Sequence, residues 1–126
     1  MGRTQIDRLL RELYAARSSG DLEGVCRVFA ADAKFQIAGA NEAGPAGIKA
    51  NGIREFRPLL ALMIKTFKLG SLTIRSMEIQ EDQATVRWQA NVQSRITGAT
   101  VPTDFIDIVE VGDDRIVNYN EVFVRR

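Results

Sequence analysis

From Ser71 to the end of the chain, apolar residues recur at every second position, whereas before Ser71 they recur every three or four. This change of period constrains the fold more than any other feature. A period of two is a strand whose faces meet different surroundings, and a period near 3.6 is a helix with one buried stripe. Leu72–Gln80, Ala84–Ile96, Pro102–Val111 and Arg115–Val124 read as four strands. Only Glu81-Asp82-Gln83, Thr97-Gly98-Ala99 and Gly112-Asp113-Asp114 separate them. Connections this short require antiparallel neighbours. Helices followed by an antiparallel meander give an α+β plan rather than a βαβ one. The length of 126 residues predicts a single domain, residues 1–126.

The helical half divides in three. Thr4 is a candidate N-cap, with Asp7 as an imperfect capping-box partner. Ile6, Leu9, Leu10, Leu13 and Ala16 form one face of the helix that follows, and Arg8, Arg11, Glu12 and Arg17 take the other. Gly20 suits the left-handed C′ position. Asp21 caps a second helix, buried through Leu22, Val25, Val28 and Phe29, so the two form an αα-hairpin. Lys34–Ala38 is a short strand. Gly39–Gly52 holds four glycines and a proline and reads as a loop, either a lid or a surface excursion. Asn51 caps a third helix running to Lys68, in which Pro58 predicts a kink or a restart.

Composition removes whole classes of chemistry. The chain has no histidine, which excludes histidine triads and nearly every common zinc site. One cysteine, Cys26, excludes an internal disulfide and reads as a small buried hydrophobe. A net charge of +1 argues against nucleic acid as a partner. No apolar run reaches ~20 residues, and no signal-peptide pattern opens the chain, so no membrane partner and a cytoplasmic location are expected. No metal and no cofactor are expected either. Carboxylates, Arg, Lys, Tyr and hydroxyls are left to carry any chemistry.

Ala84, Val86, Trp88, Ala90 and Val92 alternate without a break with Thr85, Arg87, Gln89, Asn91 and Gln93. Periodicity alone turns the apolar set inward. In the last strand Tyr119, Glu121 and Phe123 share a face, so Glu121 is a candidate for a carboxylate in a partly apolar pocket. Desolvation raises the pKa of such a group and suits it to acid–base work, while a nearby Arg87 would lower it. In the third strand the pattern does not rank Asp104 against Asp107.

Leu13–Phe35, LYAARSSGDLEGVCRVFAADAKF, resembles the helix–GD–helix–FA-D-A opening of the NTF2-like superfamily, in its SnoaL-like and ketosteroid-isomerase-like branch. Asp104–Val124, DFIDIVEVGDDRIVNYNEVFV, resembles that family's strand–turn–strand ending. The resemblance implies a cone, in which a curved antiparallel sheet wraps three helices around a pocket, and a homodimer built on the outer face of the sheet. It implies that Tyr119, Glu121 and Phe123 face the pocket together with Arg87, Gln89 and Asn91, and that Trp88, Val92 and Phe105 face outward. It sets the isomerase base at Ile37 and the isomerase tyrosine at Leu13, and matches the isomerase's second acid to Asp104. The limonene-epoxide-hydrolase pattern matches Arg87 and Glu121, but replaces its water-activating aspartate by Gln89 and its water-positioning pair by Phe35 and Ile37.

Two functions follow. The first is a cofactor-free acid–base enzyme acting on a small organic molecule, as an isomerase, cyclase, dehydratase or epoxide hydrolase. Glu121 would be its acid or base, with Arg87 and Asp104 assisting and Gln89, Asn91, Tyr119, Phe123, Phe35 and Ile37 around the ligand. The second is a non-catalytic ligand-binding or dimerisation module, which the residues at Gln89 and Ile37 favour.

Overall fold

In a computed structural model of the protein, residues 1–39 and 47–126 are described. The helix α1 spans Arg3–Ser19 and α2 spans Leu22–Arg27. Two strands follow, β1 over Phe29–Gly39 and β2 over Gly47–Asn51, then α3 over Ile53–Thr66. The meander is β3, Phe67–Gln80; β4, Gln83–Ser94; β5, Thr100–Gly112; and β6, Arg115–Arg125. The six strands form one curved, unclosed sheet in the order β2-β1-β6-β5-β4-β3. All pairings are antiparallel except β1 with β6. The architecture is the expected α+β cone, with helices on the inner face of the sheet.

Local chemistry explains the helix ends. Gly2, not Thr4, precedes α1, and its N–H donates to Gln5 Oε1 at 2.9 Å. Gly20 closes α1 at φ 70°, and Asp21 Oδ1 accepts from Gly24 N at 3.0 Å, as expected. Gly52 rather than Asn51 precedes α3, at φ 85°, where a Cβ would sit 3.1 Å from the Ala31 carbonyl oxygen. Pro58 lies inside α3 without ending it. Pro58 and Arg54 are both exposed, so the Arg54 carbonyl that lacks its usual donor faces water.

The expected loop Gly39–Gly52 contains an edge strand, β2, whose alternation is carried only by Ile48 and Ala50. The lid reading falls on residues 40–46, outside the described residues. Strand β3 starts directly after α3, five residues earlier than the pattern suggests, because Phe67 and Lys68 already pair with Ser94 and Gln93.

Register decides which side chains face inward. Asp113 and Asp114, at φ 50° and 65°, form a two-residue turn of the primed type between β5 and β6. Next to the turn, Val111 pairs with Ile116. Glu110 then pairs with Asn118, so Val117 is an extra residue on β6. This bulge lets Ile116 and Tyr119, three positions apart, both lie in the core. Beyond it Asp107 pairs with Glu121, and Phe105 with Phe123. One strand further, Val86 pairs with Asp107 and Trp88 with Phe105. The inner row is therefore Tyr119, Glu121 and Phe123 on β6; Phe105, Asp107 and Val109 on β5; and Ala84, Val86, Trp88 and Ala90 on β4.

Candidate functional site

A polar cluster is built into this inner row where α1 crosses it. Asp107 and Glu121 are buried, at 0% and 2% exposure. The α1 residues Tyr14 and Arg17, one turn apart, reach down to them. Trp88 closes the cluster from β4. Its indole stacks on Phe105 with centroids 3.7 Å apart and planes at 4°. The Arg17 guanidinium lies over the indole, 4.9 Å from the ring centroid.

The hydrogen bonds form one continuous network. Tyr14 Oη donates to Asp107 Oδ2 at 2.6 Å, and Trp88 Nε1 donates to the same oxygen at 2.8 Å. Tyr119 Oη lies in hydrogen-bond contact with Asp107 Oδ2 and 2.8 Å from Glu121 Oε2. Arg17 Nη1 donates to Tyr119 Oη at 2.9 Å and to Glu121 Oε2, and Nη2 reaches Glu121 Oε1 at 3.4 Å.

Counting protons assigns the donors. The Tyr119 hydroxyl has one hydrogen but bridges two carboxyl groups, so one of the two must bring a proton of its own. Asp107 is the acid whose surroundings favour the protonated form. Burial, then the neighbouring Glu121 charge, pushes the Asp107 pKa well above the usual aspartate value, against the lowering effect of Arg17. A protonated Asp107 donates to Tyr119, which donates to Glu121, and every contact in the chain is satisfied in that direction. Asp107 Oδ1 alone stays buried without a hydrogen-bond partner among the described residues. Burial, and after it the carboxylates, raises the phenol pKa of Tyr14 and Tyr119, so both remain hydrogen-bond donors. Burial opposes the charge on Arg17, but Glu121, Tyr119 and Asp107 outweigh it and hold its pKa well above the ordinary value.

A cavity of about 650 Å³ opens beside this cluster, between the end of α1, the second half of α3 and the sheet. Arg17 and Glu121 stand on its wall, while Tyr14, Trp88, Asp107 and Tyr119 lie behind them. Most of the remaining lining is apolar, including Ile37, Leu60, Met63, Phe105 and Phe123. The arrangement presents to a ligand one carboxylate and one guanidinium, backed by a buried acid two hydrogen bonds away.

Several sequence expectations are corrected here. Arg87 is exposed on the outer face, 3.9 Å from Glu78, and does not reach Glu121. Gln89 and Asn91 point the same way. Trp88 is inward and buried and Val92 lines the cavity, as periodicity alone favoured; Phe105 is inward and buried as well, and all three are the opposite of what the resemblance implied. The reason is register: with Glu121 inward, the pairs Val122–Ile106 and Ile106–Arg87 must lie outside. Asp104 is also outside, paired with Arg126 at 2.9 Å, and the inward aspartate is Asp107. Tyr14, not Leu13, is the tyrosine that meets the β5 acid. Arg17, placed on the polar face of α1 by its charge, is the cation that meets Glu121. Its spacing from Leu13 and Tyr14 is the signal for burial. Ile37 and Phe123 line the cavity, whereas Phe35 is packed away from it, stacked on Phe56 at 3.7 Å. Cys26 is half-buried against the core, and burial pushes its thiol pKa up.

Residues 10–119 match the SnoaL-like domain. The chain belongs to the SnoaL-like family. Solved structures similar to this SnoaL-like chain share its NTF2-like fold. A candidate isomerase from Bacillus subtilis is 18% identical, with 95% of this chain and 86% of that one covered at a TM-score of 0.79. An NTF2-like protein from Burkholderia xenovorans is 18% identical over 98% and 92%, at 0.76. An LEH-like epoxide hydrolase from M. tuberculosis is 16% identical over 95% and 83%, at 0.75. At these identities the likeness is one of fold. The SnoaL-like chain matches no curated protein in sequence. None of its described helices is long and apolar enough to cross a membrane.

Proposed function

We propose that this SnoaL-like chain binds a small organic molecule in its cavity and performs cofactor-free proton transfer on it, with Glu121 as the acid or base. One observation carries the reading: Glu121 stands on the cavity wall and is hydrogen-bonded through Tyr119 to Asp107, a buried acid whose pKa burial pushes up. Glu121 would take a proton from the ligand. Tyr119 and Arg17 would stabilise the changing charge, and Asp107 would buffer it. The isomerase candidate and the epoxide hydrolase of like fold support proton-transfer chemistry of this class.

The test is a generic carbon acid, 5-nitrobenzisoxazole, whose isoxazole ring opens when a base removes the proton on its C3 carbon and the N–O bond breaks. The expected result is opening above the buffer rate in the wild type, reduced to background by Glu121→Gln. A wild type that binds the probe but stays at background would remove the catalytic reading.

A second reading is favoured by the Arg17 guanidinium, which engages both oxygens of Glu121 and competes with any substrate proton. On that reading the chain is a ligand-binding or dimerisation module.

We also propose a homodimer through the outer face of the sheet. Ile106, Ile108 and Val122 are exposed there, and Ile106 and Val122 are register partners. These replace Trp88 and Val92 as the expected contacts. A cytoplasmic setting is in keeping with the single unpaired thiol.

A further inference from the structure

Three polar groups converge on one oxygen of Asp107. Tyr14 Oη lies 2.6 Å from Oδ2, Trp88 Nε1 lies 2.8 Å from it, and Tyr119 Oη touches it as well. The other oxygen, Oδ1, has no hydrogen-bond partner among the described residues. A proton that Asp107 shares with a neighbour therefore sits on Oδ2, and the Tyr119 hydroxyl stands between that oxygen and Glu121 Oε2.

The same contacts satisfy two arrangements of one shared proton. In the first, Asp107 Oδ2–H donates to Tyr119, Tyr119 donates to Glu121 Oε2 at 2.8 Å, and Glu121 is the anion beside Arg17. In the second, both hydrogens have crossed to the next oxygen. Glu121 Oε2–H donates to Tyr119, Tyr119 donates to Asp107, and the Asp107 anion accepts from Tyr14, Trp88 and Tyr119 together. Two or three such donors stabilise a carboxylate strongly. Arg17 Nη1 donates to Tyr119 Oη at 2.9 Å in either arrangement. No heavy atom has to move and the number of hydrogens is unchanged, while the negative charge passes from Glu121 to Asp107.

Among the described residues this route has one outlet. Tyr14, Trp88, Asp107 and Tyr119 are buried behind the cavity wall, and Glu121 stands on it. Trp88 Nε1 is a donor only and cannot take a proton up. Tyr14 makes no second hydrogen bond among the described residues. We infer that Tyr119 relays a proton between Asp107 and Glu121, so that the carboxyl on the cavity wall meets a ligand as a base in one arrangement and as an acid in the other. This rests on the cavity being the ligand site, as proposed above, and adds the source of the proton that Glu121 hands over. A site of this kind removes a hydrogen from its ligand and also returns one.

Rapid mixing into deuterated buffer, followed by infrared absorption, tests the relay without a ligand. The C=O stretch of a protonated carboxyl stands apart from the amide and carboxylate bands and shifts on deuteration. The wild type at neutral pH should show one such band, lost in Asp107→Asn. Its shift should be fast, at a rate that urea below the unfolding range leaves unchanged, because the route needs no opening of the fold. Tyr119→Phe should slow the shift by roughly tenfold or more, since the proton then waits for an opening. Tyr14→Phe removes an equally buried hydroxyl from the same oxygen but not from the route, and should not slow it. Loss of stability cannot mimic this result, because a looser fold exchanges faster. If Tyr119→Phe does not fold or lacks the band, the urea series in the wild type decides, and a rate that climbs with urea overturns the relay. So does the absence of the band from the wild type, its survival in Asp107→Asn, or a rate in Tyr119→Phe that is no slower than the wild type's. Failure of 5-nitrobenzisoxazole to open, with fast exchange intact, removes the catalytic reading and leaves the relay standing.

Discussion

Asp107 and Glu121 face each other across neighbouring strands on the inner side of the sheet, with the Tyr119 hydroxyl bridging them. Two acids this close and this buried are stable only if one carries a proton and the other a counter-charge. Burial and the Glu121 charge favour the neutral form of Asp107, and Arg17 supplies the counter-charge to Glu121.

The Arg17–Glu121 pair is almost wholly buried, with side chains 8% and 1% exposed. Arg17→Met or Glu121→Gln alone leaves a buried group without its partner and should destabilise the protein by about 3–5 kcal/mol. The double variant should lose less than the sum of the two. Arg87→Met should change stability by no more than about 0.5 kcal/mol, because Arg87 is on the exposed face. Urea unfolding of the four proteins measures the coupling, and additive losses would remove the pair as a unit.

The Asp107 pKa is raised by folding, so its neutral form is the one the fold stabilises. Its contribution is complete below the value of an unfolded aspartate, about 3.9, and is lost as pH rises from there through the raised folded-state value. Asp107→Asn removes this titration. The stability of the wild type relative to that variant should therefore fall with increasing pH, by up to about 1.4 kcal/mol per pH unit. Melts of both proteins from acid to neutral pH check the slope, and a difference that grows with pH would contradict it.

Tyr14→Phe removes one hydroxyl and little volume. That hydroxyl is buried and donates to Asp107 at 2.6 Å. The loss should be about 1–3 kcal/mol, since one donor to a buried carboxyl disappears. Chemical denaturation measures it. No change would mean that Trp88 and Tyr119 satisfy Asp107 by themselves.

Sedimentation should give twice the chain mass of 14.0 kDa. Ile106→Lys should convert the dimer to monomer, because it puts a charge in the outer apolar patch beside Arg87, its neighbour in register. A wild-type monomer would remove the outer-face interface.

The order of elements and the antiparallel meander were legible because periodicity is a local property, and β4 shows it over its whole length. The face of Tyr119, Glu121 and Phe123 was legible for the same reason. The partners of Glu121 were not. Reading β6 back across a simple two-residue turn puts Glu121 opposite Ile106, in the row of Asp104, and the bulge at Val117 moves it opposite Asp107. The sequence marks that bulge only by a three-residue step from Ile116 to Tyr119. Arg17 was misplaced because charge was weighed over spacing: it follows Leu13 by four and Tyr14 by three, on the buried stripe of α1. Strand β2 was hidden because glycine, lysine and asparagine occupy three of its five positions.

The extra residue in β6 gives the last strand something like a reading frame. Every side chain after Val117 keeps its face only while the bulge takes up that one residue. Point substitutions leave that frame untouched. Loss of Val117 would remove the bulge and leave Glu121 opposite Asp107, whereas a regular pairing of Val117 with Glu110 would shift the frame, exchanging Tyr119, Glu121 and Phe123 on the inner side for Asn120, Val122 and Val124. That slip of one residue would trade an ionisable cavity wall for one without an ionisable group and carry the carboxylate to the outside of the sheet. The bulge thus decides, with no change of composition, whether this scaffold shows its cavity a carboxylate.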